Sequence, residues 1–238
     1  METLNKKIHS KPERKIKIMQ FGEGNFLRAF VEWIIQDLND KGAINAGVAV
    51  VQPMPFGRVG ELEKQDGLYT LRLEGIDGGK NVKKSQVIDV IGDCIDPFTQ
   101  YEKYLSYGES EDLQVIISNT TEAGIAVDPA DTDFTKCPVS FPGKLLALRK
   151  RRYDKFSGDG KRGLAIIPCE LIDDNGEELL RCLTELAKIN NMDAKFIEWV
   201  RTANHFTSTL VDRIVPGYPK NEIADIRKET GYIDNNVV

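Results

Sequence analysis

Residues Lys15–Phe30 read KIKIMQFGEGNFLRAF, and this stretch decides the fold. A short apolar strand over Ile16–Phe21 runs into a turn with glycines at 22 and 24, and a helical apolar pattern follows. Leu27, Phe30, Val31, Ile34, Ile35 and Leu38 recur at three- and four-residue spacing, which predicts one buried helix face. Asn39-Asp40-Lys41-Gly42 ends that helix, with Gly42 suited to a left-handed terminus. Gly47–Val51 (GVAVV) is a continuous apolar run, as expected of a strand covered on both faces. Strand, helix and strand in this span make a βαβ unit with a right-handed crossover. Glycines let the backbone turn sharply and approach a ligand, and free amides opening a helix attract an anion. The turn is therefore either a dinucleotide pyrophosphate site or a tight strand–helix turn without a ligand. The third glycine of G-x-G-x-x-G is Leu27 here.

Outward from this unit the pattern changes and then returns. Tyr69–Glu74 alternates, Asp77-Gly78-Gly79 is a turn signal, and Lys84–Ile91 is strand-like, which together predict an antiparallel hairpin in or beside the sheet. A short helix is expected near Pro97–Ser106, a buried strand at Gln114–Ser118 and a helix at Pro142–Phe156. Leu164–Pro168 reads as a strand, Asp174–Asn190 as a helix with an Asp174/Glu177 capping box, and Phe196–Val200 as a further helix. The alternation predicts an α/β, Rossmann-like, doubly wound and mostly parallel sheet with an inserted antiparallel hairpin. Ligands in such sheets bind beyond the carboxyl ends of the strands, so the loops after Phe21, Val51, Ser118 and Pro168 are the ones to watch.

Composition narrows the function classes. The 238 residues are 41% hydrophobic and 29% charged, enough for a sizeable core, and the net charge of −5 argues against nucleic acid or an anionic membrane as partner. The basic run Arg149–Arg152 lies in a helical pattern and reads as a solvated helix face. Cysteines 94, 137, 169 and 182 show no C-x-x-C pairing, which predicts reduced thiols and no metal site. The polar METLNKKIHSKPERK start lacks the apolar core of a signal peptide, and no run reaches the roughly 18 apolar residues of a membrane span. A cytoplasmic location is expected.

At the end of the second strand stands Gln52, which can hydrogen-bond a ribose but carries no charge. Arg58 lies a few residues on, either solvated or facing a 2′-phosphate, so NAD against NADP stays open. Asn119, Thr120, Thr121 and Glu122 are small or polar groups on the ligand side; they contact a cofactor or cap the next helix. His205 reads as a surface or packing residue, since no nucleophile motif accompanies it. Asp212 and Arg213 pair within the fold or face a substrate cleft, and Glu170 faces the site or satisfies nearby amides.

Five segments in this order, QFGEGNFLRAF (20–30), SNTTEAGI (118–125), FPGKLLALRKRRY (141–153), IIPCELIDDNGEEL (166–179) and STLVDRIVPGYP (208–219), resemble the polyol-specific long-chain dehydrogenases, which include mannitol dehydrogenase and the hexuronate reductases. The family's phosphate turn is G-x-G-x-F followed by arginine, and Gly22, Gly24, Asn25, Phe26 and Arg28 match it. The resemblance implies NAD as cofactor, held by Phe21, Gly22, Glu23, Gly24, Asn25, Phe26, Leu27, Arg28, Gln52, Asn119, Thr120, Thr121 and Glu122. It implies a small sugar-acid or polyol substrate and hydride transfer without a metal. The family's proton-supplying lysine, with asparagine and histidine, belongs to a C-terminal helical domain that follows the VDRI segment and is expected to lie outside this sequence. Asp212, in that segment, is the one catalytic candidate here. The expected organisation is a polar segment over 1–14, an NAD-binding domain over 15–220 and the start of a further region over 221–238. Apolar surface near Phe206, Leu210, Ile214 and Tyr218 is then left exposed and favours self-association. A non-catalytic nucleotide-binding module is the alternative from another class.

Overall fold

A computed structural model of the chain describes residues 1–121 and 123–238. The expected Glu122 contact lies outside the described residues. Strand β1 (Ile16–Phe21) is followed by α1 (Asn25–Ala29) and α2 (Val31–Asp40), then β2 (Gly47–Val51) and α3 (Val59–Glu63). The hairpin β3 (Tyr69–Asp77) and β4 (Lys80–Ile88) comes next, before β5 (Ile91–Ile95) and α4 (Tyr101–Ser106). The second half holds β6 (Val115–Ser118), α5 (Phe141–Lys155), β7 (Ala165–Pro168), α6 (Asn175–Ile189), α7 (Ala194–Thr202), β8 (His205–Phe206) and α8 (Ile223–Thr230).

Six strands form one sheet in the order β5-β2-β1-β6-β7-β8, with every pairing parallel. With the hairpin set aside this is the doubly wound order 3-2-1-4-5-6. Alternation along the strands builds a core on each face. Met19 and Phe21, with Ala49, Val51 and Ile116, pack beneath α4–α7. Ile18, Val48, Val50 and Ile117 pack against α1–α3 and the hairpin. Phe21 is fully buried, its ring 4.9 Å from that of Phe141 and 6.0 Å from Tyr104. Burial of one such side chain contributes about 1.5–3 kcal/mol.

The hairpin is a separate two-stranded sheet, paired from Tyr69↔Ile88 to Asp77↔Lys80. Gly78 and Gly79 both have positive φ (55° and 78°), the requirement of a tight primed turn, so β4 starts earlier than its residue types suggest. The run expected over Lys84–Ile91 is really two strands. It breaks at Asp89, whose N–H donates to Gln36 Oε1 and whose carboxylate is paired with Arg14 at 2.6 Å, and there the chain leaves the hairpin for the parallel sheet.

Three local expectations need correction. The helix after the turn is bent at Phe30 (φ −116°, ψ −72°), and its buried residues are Val31, Glu32, Ile35 and Gln36, while Ile34 is 38% exposed. Hydrogen bonds with Gln20 and Tyr69 hold Glu32 inward, in keeping with that rotation. Asp174 forms no capping box, because its left-handed backbone (φ 51°) does not bring the side chain onto the helix amides. The run Arg149–Arg152 is a solvated face only at Lys150 and Arg151, which pair with Asp154 and with Glu102 and Glu109. Arg149 is fully buried with its guanidinium 4.9 Å from the Trp199 ring, and buried Arg152 donates to the carbonyls of Gly108, Ser110, Leu113 and Arg162. Long apolar stems let arginine pack inside where carbonyls or an aromatic face receive the head.

The segments expected on either side of residues 15–220 meet each other. Leu4 N–H donates to Ile233 O, and α8 is tied to the hairpin through Glu222–Lys83 and Glu229–Arg72 ion pairs. Asp234 accepts the N–H of Thr70. Among the described residues no helix is long and apolar enough to cross a membrane.

Candidate functional site

The strand order reverses between β1 and β6, and the loops leaving these neighbours define the crevice where a doubly wound sheet takes its ligand. Three backbone bonds extend the ladder into the loops: Gly22 N–H to Val51 O (3.0 Å), Asn119 N–H to Phe21 O (3.0 Å) and Cys169 N–H to Ser118 O (2.7 Å). The loop ends are therefore held as firmly as the strands.

Gly22 has φ +114°, and a Cβ there would stand 2.7 Å from the Asn119 carbonyl oxygen. Only glycine meets both conditions. Gly24 has ordinary dihedrals (φ −67°, ψ 166°), is exposed, and has no atom within 4 Å of where its Cβ would lie. Its bare backbone faces open space at the start of α1, whose first amides have no partner within the helix. Backbone cradle and open approach fit an anionic bridge such as a pyrophosphate.

Two hollows flank this turn at the same end of the sheet. One, of about 600 Å³, is lined by Phe26, Asn119, Thr121, Cys169, Leu210 and Asp212, among others. The other, of about 360 Å³, is lined by Pro53, Met54, Thr120, Ala123, Val139 and Phe141, among others. A larger hollow of about 670 Å³, with Arg14, Lys17, Asn39 and Gln114 in its wall, lies at the opposite end of the strands, the wrong end for a dinucleotide.

Sequence-predicted residues divide accordingly. Phe26, Asn119, Thr120, Thr121 and Asp212 come together around the turn, and Asp212 is exposed. Thr121 adopts φ +72°, an uncommon conformation for a β-branched residue and a strained point in the loop wall. Leu27 and Arg28, expected to touch the cofactor, instead face inward. Leu27 is 1% exposed in the core, and Arg28 donates to Glu23 O, Asn25 Oδ1 and Asn236 O while its guanidinium lies 5.0 Å from the Tyr69 ring. Arg28 acts from behind, as a brace for the turn. Gln52 is also buried, its amide donating to Met54 O. His205 is exposed at the sheet edge. Burial pushes the Cys169 thiol up to about 11, which leaves it a protonated wall residue at neutral pH.

Glu170 is satisfied within the fold. Its carboxyl oxygens accept the Thr120 N–H and hydroxyl (both 2.9 Å) and the Ser118 hydroxyl (3.1 Å), joining the loops after β6 and β7. Fully buried Asn175 extends the brace, donating to Glu170 O and Thr209 O and accepting the Thr209 N–H. The sequence reading does not single out Asn175.

Nor does it find the polar cluster beneath the turn. Gln20 Nε2 donates to Gly22 O (2.9 Å) and to Glu32 Oε1 (2.8 Å). Tyr69 Oη lies 2.8 Å from Arg28 O and 2.7 Å from Glu32 Oε2 but has one proton to give. A neutral Glu32 resolves this, donating to the phenol while the phenol donates to Arg28 O. Burial raises the Glu32 pKa in agreement with that arrangement. An unfolded glutamate titrates near 4.3. The stability contributed by this raised group is thus full below about pH 4.3 and is lost as pH rises through its folded value. Glu32→Gln keeps the neutral pattern. Urea unfolding is expected to place the variant close to the parent at pH 4 and above it in stability at pH 8. A difference independent of pH would contradict a neutral Glu32. The one advance signal was a glutamine inside an apolar strand.

Residues 16–235 match the family model described as the mannitol dehydrogenase Rossmann domain. The chain is 44% identical, over its whole length, to the altronate oxidoreductases of Phocaeicola vulgatus and Bacillus subtilis. It spans 50% of each of them, about half the length of the curated relatives it matches. Among solved structures it is similar to D-sorbitol dehydrogenase (TM-score 0.81, 21% identity, 100% of this chain and 52% of that one). It is also similar to Pseudomonas fluorescens mannitol 2-dehydrogenase in ternary complex with NAD and D-mannitol (TM-score 0.82, 18% identity, 100% and 52%). Those structural likenesses carry the fold, and the family match and the relatives carry the membership. The chain belongs to the mannitol dehydrogenase family, and residues 16–235 match that family's Rossmann domain.

Proposed function

We propose that residues 15–220 bind NAD and that the chain is the cofactor-binding portion of an oxidoreductase interconverting D-tagaturonate and D-altronate. The observation that carries this reading is the Gly22 turn pressed against Asn119, between two hollows at the reversal point, in a chain 44% identical to altronate oxidoreductases. The pyrophosphate lies over Gly22, Gly24 and Asn25, and the hollows on either side take the two nucleoside halves. Bound NAD supplies the hydride chemistry. The chain's own residues orient it: Phe26, Asn119 and Thr121 wall the wider hollow, and Thr120 serves the narrower one. Asp212 stands where a sugar-acid hydroxyl approaches and is the proposed contact to the reacting end of the substrate. Residues 1–14 and 221–238 flank this unit.

NADH at one hundred times its Kd is expected to stabilise the 238-residue chain by about 2.7 kcal/mol. For a protein of this size that raises the melting temperature by roughly 5–10 °C. Tagaturonate added with NADH should give no turnover by this chain alone. An unmoved melting curve at saturating NADH overturns the binding reading, and ready NADH oxidation overturns the division of labour.

Leu210 and Ile214 are 95% and 92% exposed, and Leu171 beside the same hollow is 62% exposed, whereas Phe206 and Tyr218 are only partly so. Large apolar side chains left this exposed favour association. Light scattering should show self-association that Leu210→Ser with Ile214→Ser reduces; a parent chain that stays monomeric at high concentration counts against it.

A further inference from the structure

Dinucleotide-binding sheets of this order usually place an acidic side chain at the end of the second strand, where it holds the adenosine ribose hydroxyls and repels a 2′-phosphate. Here β2 ends in Val51-Gln52, and buried Gln52 gives its amide to Met54 O at 2.9 Å. The second strand contributes no charge. A carboxylate nevertheless reaches that place from another element. Glu23, in the turn after β1, extends across to the loop after β2, where its Oε1 accepts the backbone N–H of Arg58 at 3.1 Å. A Cβ on Gly57 would overlap both the Glu23 carboxylate and the Gln52 side chain, so these two groups stand against each other over the end of β2. Arg58, the one basic side chain of that loop, donates its guanidinium to Asn235 O at 3.4 Å, on the C-terminal segment.

We infer that Glu23 is the residue that selects NADH over NADPH: its free oxygen receives the ribose hydroxyls, and its charge repels a 2′-phosphate. This assignment rests on the cofactor-binding reading above. It gives the phosphate turn two tasks, with glycines 22 and 24 admitting the pyrophosphate and the residue between them reading the ribose. It also accounts for the absence of an acid from β2 in a sheet that otherwise keeps the dinucleotide-binding order.

The test is titration of the 238-residue chain with NADH and with NADPH, followed by nicotinamide fluorescence, for the parent and for Glu23→Gln. The amide keeps an acceptor for the Arg58 N–H, so the loop retains its tie. Glu23→Ala serves as a second variant should the first not fold. The parent is expected to bind NADH at least tenfold more tightly than NADPH, and the variant to lose at least tenfold of that ratio. A smaller loss with NADH still bound overturns the assignment, as does a parent that prefers NADPH. A parent that binds neither cofactor overturns the cofactor reading itself, which is a separable result.

Discussion

Gly22→Ala is expected to weaken NADH binding at least a hundredfold, about 2.7 kcal/mol, and to destabilise the unliganded chain by about 3 kcal/mol. Two costs combine. An alanine at φ +114° is in strained territory, and its methyl would sit 2.7 Å from the Asn119 carbonyl oxygen. The turn has little room to relax, because Gly22 N–H is bonded to Val51 O and Gly22 O accepts from Gln20. Relief must come from separating the loops after β1 and β6, which is the spacing a pyrophosphate would use. Gly24→Ala gives the contrast. Nothing lies within 4 Å of its Cβ and its dihedrals suit any residue, so stability should stay within about 0.5 kcal/mol. Its methyl points into the proposed ligand space, so NADH affinity should still fall. Calorimetric titration beside chemical denaturation separates the two effects. Equal behaviour of the two variants would mean that the turn is merely structural.

Glu170→Ala comes second, with an expected loss of about 2–3 kcal/mol, the upper part of the range for leaving buried polar groups without a partner. Glu170 is 1% exposed and accepts three hydrogen bonds, and its removal strands the buried Ser118 hydroxyl and leaves the half-buried Thr120 N–H and hydroxyl without their acceptor. The loop carrying Asn119–Thr121 loses its ties at Thr120 and keeps the one from Asn119 Nδ2 to Cys169 O, and NADH affinity should drop about tenfold, or about 1.4 kcal/mol. Glu170→Gln keeps an oxygen toward Thr120 and offers its NH₂ to the Ser118 hydroxyl oxygen, so its cost should stay near 1 kcal/mol. Denaturation and NADH titration of both variants test this. An alanine variant as stable as the glutamine one would remove Glu170 from the loop's support.

What was legible in the chain was whatever depends on neighbours in sequence. The βαβ unit, the parallel strands, the Gly-Gly hairpin turn and the glycine pair after β1 each follow from local apolar spacing and backbone freedom. What was misread depended on partners far along the chain. Arg149 and Arg152 look like a surface run until Trp199 and the carbonyls near Gly108 and Arg162 are brought around them. Arg28 and Leu27 match a binding motif yet point inward, because Asn236, Tyr69 and the core of the same face lie behind the turn. Asp174 fits a capping pattern, but its backbone is left-handed.

By itself the sequence determined the class of sheet, the place of the turn within it and the family, since these rest on periodicity and on segments in fixed order. Only the tertiary structure decided which polar groups face the cleft and which brace it from behind. It joined Glu23 to the end of β2, Glu170 to the loop after β6, and Glu32 to both Gln20 and Tyr69. The physical reason is that a buried polar atom must find a partner wherever the fold supplies one, and buried Glu32 and Glu170 find Gln20, Tyr69 and Thr120 from 12 to 50 residues away. No local pattern encodes such a pairing; the packing of the sheet and its loops does.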